Sequence, residues 1–304
     1  MNPKQNFNEI SYARHAKSFE KHSIGGEKET DAKTWFETDT VDAWRHQRMY
    51  KLLDPIIDAD KNAKWLTVGD GRYGKDGNYI QQKGCDVLVT DISSNLLKEA
   101  KDIGYISKYK QENAESLSFQ NDEFDYVFCK ESYHHFPRPM LALYEMLRVA
   151  RKGVVLIEPN DMFINERLSE VFFRSLKNII KILLRIKEFR KFFEEEGNYV
   201  YSISRREIEK VALGLNYRTV AFKGINDAYI KGVEFENLVE NGPLQKKIKL
   251  KINYLNALNK LKLMDYVILG VIIFKRKPAK ELLQQLVNRG YRIIHLSKNP
   301  YIAD

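Results

Sequence analysis

Short apolar runs recur along the chain, each closed by a turn signal and most followed by helical spacing. Trp65–Val68 is the first clear strand, and it runs into Gly69, Gly71 and Gly74. Asp86–Thr90 is a second run, ended by Asp91, after which Ser93 or Ser94 offers an N-cap for a helix through Leu97 and Ala100. A weaker strand is read near Ser107–Gln111, a strong one at Phe124–Cys129, and a fully apolar one at Gly153–Ile157. Between the last two, Pro139–Ala150 sets Leu141, Tyr144, Leu147 and Val149 at helical spacing. The β-α-β-α-β alternation predicts an α/β fold with a parallel sheet covered on both faces.

Beyond Ile157 the rhythm changes. Phe163–Phe193 predicts a long helical stretch, and Ser204 with Glu207 predicts a capped helix that Gly214 stops. Tyr217–Phe222 and Tyr266–Lys275 read as strands, with a mostly helical, lysine-rich insertion, Val233–Leu263, between them. A short helix from Pro278 and an accessory strand or hairpin over Gly290–Ser297 complete the pattern.

Composition narrows the class only a little. The 304 residues carry a formal charge of +9, which suits nucleic acid, an anionic membrane surface or a phosphorylated small substrate, and also an ordinary basic enzyme. The two cysteines, Cys85 and Cys129, lie beside or within apolar runs and read as buried free thiols of a reducing compartment. The first residues lack the apolar core of a signal peptide, and the longest apolar run, Tyr266–Phe274, is too short to cross a bilayer, so a cytoplasmic enzyme is expected.

The spacing Gly69, Gly71, Gly74 is G-x-G-x-x-G behind a strand. Such glycines let a backbone approach a ligand closely, and the helix start behind them offers free N–H groups. Asp91, at the end of the second strand, suits ribose hydroxyls or a plain helix cap. These features fit NAD and S-adenosylmethionine equally, and the glycines also fit a simple turn.

The stretches "QENAESLSF" and "FDYVFCKESYHHFPRPMLALYEMLRVARKGVVLIEPND" separate the two. From about Trp65 to Asp161 the chain resembles the class I SAM-dependent methyltransferases, in the small-molecule group with an F-D-x-V strand and an H-H-F/L-x-x-P loop. The resemblance implies a Rossmann-like fold: a mostly parallel seven-stranded sheet with helices on both faces, a helical N-terminal arm (1–59), a cofactor domain (60–276) with helical cap insertions at about 162–203 and 228–263, and a C-terminal helix and strand (277–304). It implies S-adenosyl-L-methionine as cofactor, with Gly69, Asp70, Gly71 and Gly74 around its methionine part. Asp91 would meet the ribose, Ile92 the adenine face, Asn113-Ala114-Glu115 the adenine edge, and Lys130 to His135 would face the transferred methyl. The chain departs from the family at Thr67, where an acidic residue is usual, in a loop one residue longer, and at Asn113 in place of Asp.

Methyl transfer to an alcohol needs an aligned acceptor and a base. His134 is the first candidate, with His135 and Glu131 behind it, and either histidine equally suits a packing role. Acceptor contacts are expected from Tyr133, from Trp44, Arg45 and Arg48 in a segment that also holds Trp35 and His46, and from Asn160 and Asp161 after Glu158. No full carboxylate set for a metal is visible. Over Val171–Lys191, Phe172, Leu176, Ile179, Leu183 and Ile186 share one face and Arg174, Lys177, Lys181 and Arg185 the other, which suits either a cap helix or peripheral membrane contact. Lys246, Lys247, Lys249 and Lys251 allow the same two readings.

Nucleic-acid substrates fit less well. Glu131-Ser132-Tyr133-His134 stands where base-amine methyltransferases carry D/N-P-P-Y, Asn299-Pro300-Tyr301 lies at the wrong end, and Cys129 precedes Lys130 rather than following a proline. The set "DAWRH…ESYHHFPRP…EPND" resembles methyltransferases of bacterial saccharide and glycan biosynthesis, which makes O-methylation of a sugar, nucleotide sugar or glycan intermediate, phosphorylated or glycosidic, the expected activity. The alternatives are an NAD-dependent oxidoreductase, a catalytically silent SAM-binding scaffold, and an RNA methyltransferase.

Overall fold

The computed structural model describes residues 7–161, 175–176, 179–180, 183, 193–194, 196–239 and 242–302. The strands are β1 (Lys64–Val68), β2 (Asp86–Asp91), β3 (Tyr109–Gln111), β4 (Phe124–Lys130), β5 (Ala150–Pro159), β6 (Thr219–Ile225), β7 (Ile268–Phe274) and β8 (Arg292–His295). They form one sheet in the order β3-β2-β1-β4-β5-β7-β6-β8. The β3-to-β5 half is parallel, and β7 runs antiparallel to both β5 and β6. The helices are α1 (Phe7–Glu20), α2 (Glu29–Lys33), α3 (Val41–Tyr50), α4 (Asp54–Ala59), α5 (Lys75–Gln82), α6 (Asn95–Asp102), α7 (Pro139–Val149), α8 (Arg205–Gly214), α9 (Pro243–Lys260) and α10 (Lys280–Asn288).

The central strands are mostly apolar because both faces of the sheet are covered, and successive side chains go to opposite cores. On β5, Val154 and Leu156 enter the core under α7 and α8, whereas Val155 and Ile157 enter the core under α3, α4 and α10. Phe124, Val127 and Cys129 of β4 join the first core and Tyr126 and Phe128 the second. The strand order reverses between β1 and β4, which makes their carboxyl ends the place where an open α/β sheet receives a ligand.

The sheet is Rossmann-like, with eight strands among the described residues rather than the seven expected. The accessory run after Gly290 does not stand apart. Leu282 and Leu286 of α10 are buried, the chain turns at Gly290 (φ +83°), and β8 pairs antiparallel with β6 from Thr219↔His295 to Phe222↔Arg292. It thereby covers an edge that would otherwise present unpaired backbone groups. Two local details also differ from the sequence reading. On α7, Leu141 and Tyr144 face solvent, and the buried face is Ala142, Leu143, Met146, Leu147 and Val149. Ser94 precedes α6 without capping it, its hydroxyl lying against Gln111 Oε1 at 3.3 Å. Ser204, by contrast, caps α8 by accepting from the Glu207 N–H at 3.1 Å. Cys85 and Cys129 are both buried free thiols.

The helical stretch expected over Phe163–Phe193, with its basic face over Val171–Lys191, lies outside the described residues except at isolated positions. No helix among the described residues is long and apolar enough to cross a membrane.

One close approach fixes α5 against β2. A Cβ added at Gly77 would lie 2.3 Å from Val89 Cγ2. Gly77→Ala should therefore lower stability, because overpacking of about 1–3 kcal/mol exceeds the gain of about 1 kcal/mol from replacing a helical glycine. Urea unfolding of Gly77→Ala beside Gly77→Ala/Val89→Ala should show the loss and then its partial recovery.

Candidate active site

The glycine loop leaves β1 at the switch point and closes on α5, with Gly69 (φ +74°) and Gly74 (φ +70°) in the left-handed region that favours glycine. A Cβ at Gly69 would sit 2.6 Å from Ser132 Cβ, and one at Gly71 would sit 2.9 Å from Asp91 Oδ2. The loop is thus pressed between the ends of β2 and β4. Asp70 serves the loop itself: its carboxylate accepts from the N–H of Asp76 (3.1 Å) and Gly77 (2.8 Å) and from the Thr67 hydroxyl (3.0 Å). Burial and the nearby Asp76 charge push the Asp70 carboxyl well above the usual range. Thr67, the departure from the family pattern, is therefore the partner that orients Asp70.

Three cavities follow one another from this loop. The first, about 210 Å³, is lined by Asp91, Ile92, Asn113, Ala114 and Glu115 and roofed by Tyr12, His15 and Phe19 of α1. Burial pushes the Asp91 carboxyl up to about 7, although the Ser93 N–H donates to it at 2.9 Å. Asn113 Oδ1 accepts from the Glu115 N–H at 2.9 Å. Glu115 is itself engaged, accepting from Arg138 N (2.7 Å), Arg138 Nε (2.6 Å) and the Tyr12 hydroxyl. It anchors the N-terminal arm to the sheet as well as lining the cavity.

The second cavity, about 120 Å³, is lined by Gly69, Asp70, Gly71, Lys75, Lys130 and Glu131, with Trp35 and His46 across from them. Lys130 is buried, 3.5 Å from Asp76 Oδ1 and 3.2 Å from Glu131 Oε2. Burial and the like charges of Lys130 and Arg72 bring Lys75 down to about 8, against the pull of Asp42. Glu131 sits at φ +49°. Burial would raise its carboxyl, but Lys130, His46 and Arg72 outweigh that and hold it far below the usual range.

The third cavity, about 300 Å³, is lined by polar groups: Asp42, Arg45, His46, Arg72, Glu131, His134, His135 and Glu234, with Trp35 and Tyr229. His135 borders all three spaces. His134 Nδ1 lies 2.7 Å from Oε2 of Glu158, a carboxylate with no solvent exposure, whose Oε1 accepts from the N–H of Ser132 (2.9 Å) and Tyr133 (3.0 Å). Burial would lower the His134 pKa, but the Glu158 carboxylate, with Glu131 and Glu194, raises it above the usual imidazole value. His135 Nδ1 instead meets Glu194 Oε1 at 2.5 Å.

The glycine loop, Asp91 to Glu115, Lys130, Glu131, His134 and His135 thus come together as the sequence suggested. Five of the six residues expected to contact the acceptor do not line these cavities. Tyr133 is in the core, its hydroxyl against Met140 Sδ at 3.2 Å. Asn160 ties down the chain by donating to the Tyr266 carbonyl at 2.8 Å, and the Asp161 N–H donates to the Ile203 carbonyl at 2.8 Å. Trp44 packs on the cluster around Ile248, and Arg48 donates to the Asn226 carbonyl at 2.7 Å. Arg45 reaches the cavity wall with its guanidinium held by Asp227 and Asp42. Trp35 and His46 lie in the segment already singled out, whereas Arg72, inside the glycine loop, and Lys75, directly after it, were not singled out. No motif marks His15, Tyr229, Glu234 or Glu194, which chain folding alone brings in.

Arg45 is buried and its charge rests on Asp227. Asp227→Ala should cost about 3 kcal/mol, the low end for breaking a buried pair, because Asp42 remains as the only carboxylate on a buried guanidinium, whereas Arg48→Ala, at a half-buried arginine, should cost less than half as much. Urea denaturation of the two variants checks the order.

Residues 66–157 match the family described as a methyltransferase domain. A probable methyltransferase of Aspergillus luteorubrus, ltbC, is 32% identical over 120 residues, covering 35% of this chain and 39% of that protein. Among solved structures, the YcgJ protein of Bacillus subtilis is 16% identical over 75% of this chain and 100% of its own (TM-score 0.46). Magnesium protoporphyrin IX methyltransferase of Synechocystis, solved with bound SAH, is 14% identical over 76% of this chain and 84% of its own (TM-score 0.43). The glycine loop lies at the switch point, β7 is inserted antiparallel between β5 and β6, and residues 66–157, from β1 to β5, carry the methyltransferase-domain match.

Proposed function

We propose that the protein is an S-adenosylmethionine-dependent methyltransferase acting on a hydroxyl group of a small polar acceptor, of the sugar, nucleotide-sugar or glycan-intermediate kind. The observation that carries this reading is the His134–Glu158 pair in the wall of a polar cavity adjoining the glycine-loop cavity. The residues fit the cofactor. The loop is a cradle that a Cβ at Gly69 or Gly71 would fill, and a buried carboxylate, Asp91, stands beside it for the ribose hydroxyls. Asp91, Ile92 and Asn113 to Glu115 would hold the adenosine end, and Gly69 to Gly71, Lys75 and Lys130 the amino-acid end. When bound, the cofactor supplies an electrophilic methyl group on a sulfonium sulfur.

The chain's own residues do the rest. The polar wall from Asp42 to Glu234 offers donors and acceptors for a hydroxylated acceptor. Nδ1 of His134 donates to Glu158, which fixes the tautomer and leaves Nε2 to take the acceptor's proton as the new O–CH₃ bond forms. A polar acceptor cavity of this kind favours a hydroxylated metabolite over an apolar one. Arg72, in both the second and third cavities, suits an acceptor that also carries phosphate or carboxylate.

Calorimetric titration should show binding of S-adenosylhomocysteine and none of NADH, followed by turnover in an acceptor screen that begins with sugar nucleotides. NADH binding alone would overturn the reading in favour of an oxidoreductase. Cofactor binding with no turnover, and biological activity indifferent to His134→Gln, would favour a silent scaffold. His134→Gln should lower kcat by about 10²–10⁴ with cofactor affinity intact.

The base works only when neutral, so kcat/KM should rise with pH through a pKa above 6.5, the ordinary imidazole value. Glu158→Gln removes the group that opposes burial, so that limb should move to lower pH while kcat falls. Asp91 adds a second pH effect. Ribose hydroxyls donate to its ionised form, so with a carboxyl near 7 cofactor affinity should be about tenfold weaker at pH 6 than at pH 8. Asp91→Asn should flatten that dependence.

A further inference from the structure

Helix α9 shows an apolar stripe to solvent as well as one to the core. Its inner face, Ile248, Ile252 and Leu255, is buried, and the first two pack on Val41, Ala228 and Val233. Leu250, Tyr254, Ala257 and Leu261 follow at i, i+4, i+7 and i+11, a single line on the opposite side of an α-helix. Leu250, Tyr254 and Leu261 are 61%, 63% and 67% exposed. A soluble helix usually turns polar groups outward, so a second apolar line needs a reason.

The charge around that line supplies one. Lys246, Lys247 and Lys251, all exposed, flank it, with Lys260 near its end, and residues 242–264 contain no aspartate or glutamate. Lys249 leans inward, with its ammonium 5.8 Å from the centre of the Trp44 ring. An exposed apolar line bordered by lysines and free of acids is complementary to a lipid surface with anionic headgroups: the lysines meet the phosphates and the apolar side chains enter the acyl boundary. A second copy of the chain would bring lysines against lysines.

We propose that α9 is a membrane-docking element that seats the protein peripherally on an anionic bilayer. The site lies close by. Ala228 and Val233, on which α9 packs, are chain neighbours of Tyr229 and Glu234, which line the 300 Å³ cavity. Docking through α9 therefore holds that cavity near the headgroups, where an acceptor carried by a lipid is presented. The surface stands whatever chemistry the cavity performs.

The test is co-sedimentation of the full chain with vesicles of phosphatidylcholine alone and of phosphatidylcholine with phosphatidylglycerol. Binding to the anionic vesicles should be at least tenfold tighter and should fall at high salt. Lys246→Gln/Lys247→Gln/Lys251→Gln and, separately, Leu250→Ser/Tyr254→Ser should each weaken it at least tenfold. All five side chains are exposed, so melting temperature and S-adenosylhomocysteine binding should be unchanged, which separates lost docking from lost folding. Failure of the wild-type chain to sediment with anionic vesicles would overturn the proposal, as would binding that both variants leave intact. A concentration-dependent dimer that Leu250→Ser/Tyr254→Ser dissolves, with vesicles ignored, would assign the stripe to a second copy.

Discussion

A carboxylate buried without any solvent contact is costly unless its oxygens are fully engaged, and Glu158, at the end of β5, meets that demand by organising the loop after β4. Its Oε1 takes the N–H groups of Ser132 and Tyr133, and its Oε2 takes His134 Nδ1. To deliver those three donors the chain must curl at once after Lys130. Glu131 goes to positive φ and Tyr133–His135 makes a single tight turn. The same curl sets the Ser132 hydroxyl to donate to the Gly69 carbonyl at 2.5 Å. One buried charge therefore joins the end of β5, the histidine loop and the glycine loop.

The sheet was legible because its physics is local. A strand buried on both faces is largely apolar rather than alternating, so β1, β4, β5 and β7 stand out in the sequence. The glycines and Asp91 were legible because backbone conformation and strand ends admit few residue types. β8 was visible only as an accessory run, since Arg292–His295 is half exposed and nothing local says which edge it will join. The α7 face was misjudged at Leu141 and Tyr144 because two registers of the same helix both looked apolar. Only packing on β4 and β5 chooses between them.

The acceptor side was less legible for a related reason. Arg45 reads as a free anion-binding group until Asp227, 182 positions away, takes its guanidinium. Tyr133 reads as a site residue by its neighbours, yet the curl that turns His134 toward Glu158 sends Tyr133 into the core. His15 and Glu194 converge on His135 from α1 and from the segment after residue 192, and no motif announces either. The N-terminal arm covers the 210 Å³ cavity largely through such polar clamps, among them Tyr12 to Glu115 and Ser11 to Asn198. Polar clamps leave no periodic signature.

The same electrostatics decide among the three candidate bases. Glu131 is surrounded by Lys130, His46 and Arg72, which stabilise its anion so strongly that it has little tendency to take a proton. His135 is 41% exposed and spends its Nδ1 on Glu194, across from α1. His134 has what a general base needs: a carboxylate behind Nδ1, a basicity raised above that of free imidazole, and a place on the acceptor cavity. Glu131, held as a fixed negative charge, then has a different use. In the proposed reaction it would add to the field that favours the His134 imidazolium, so the group least able to act as a base would support the one proposed for that role.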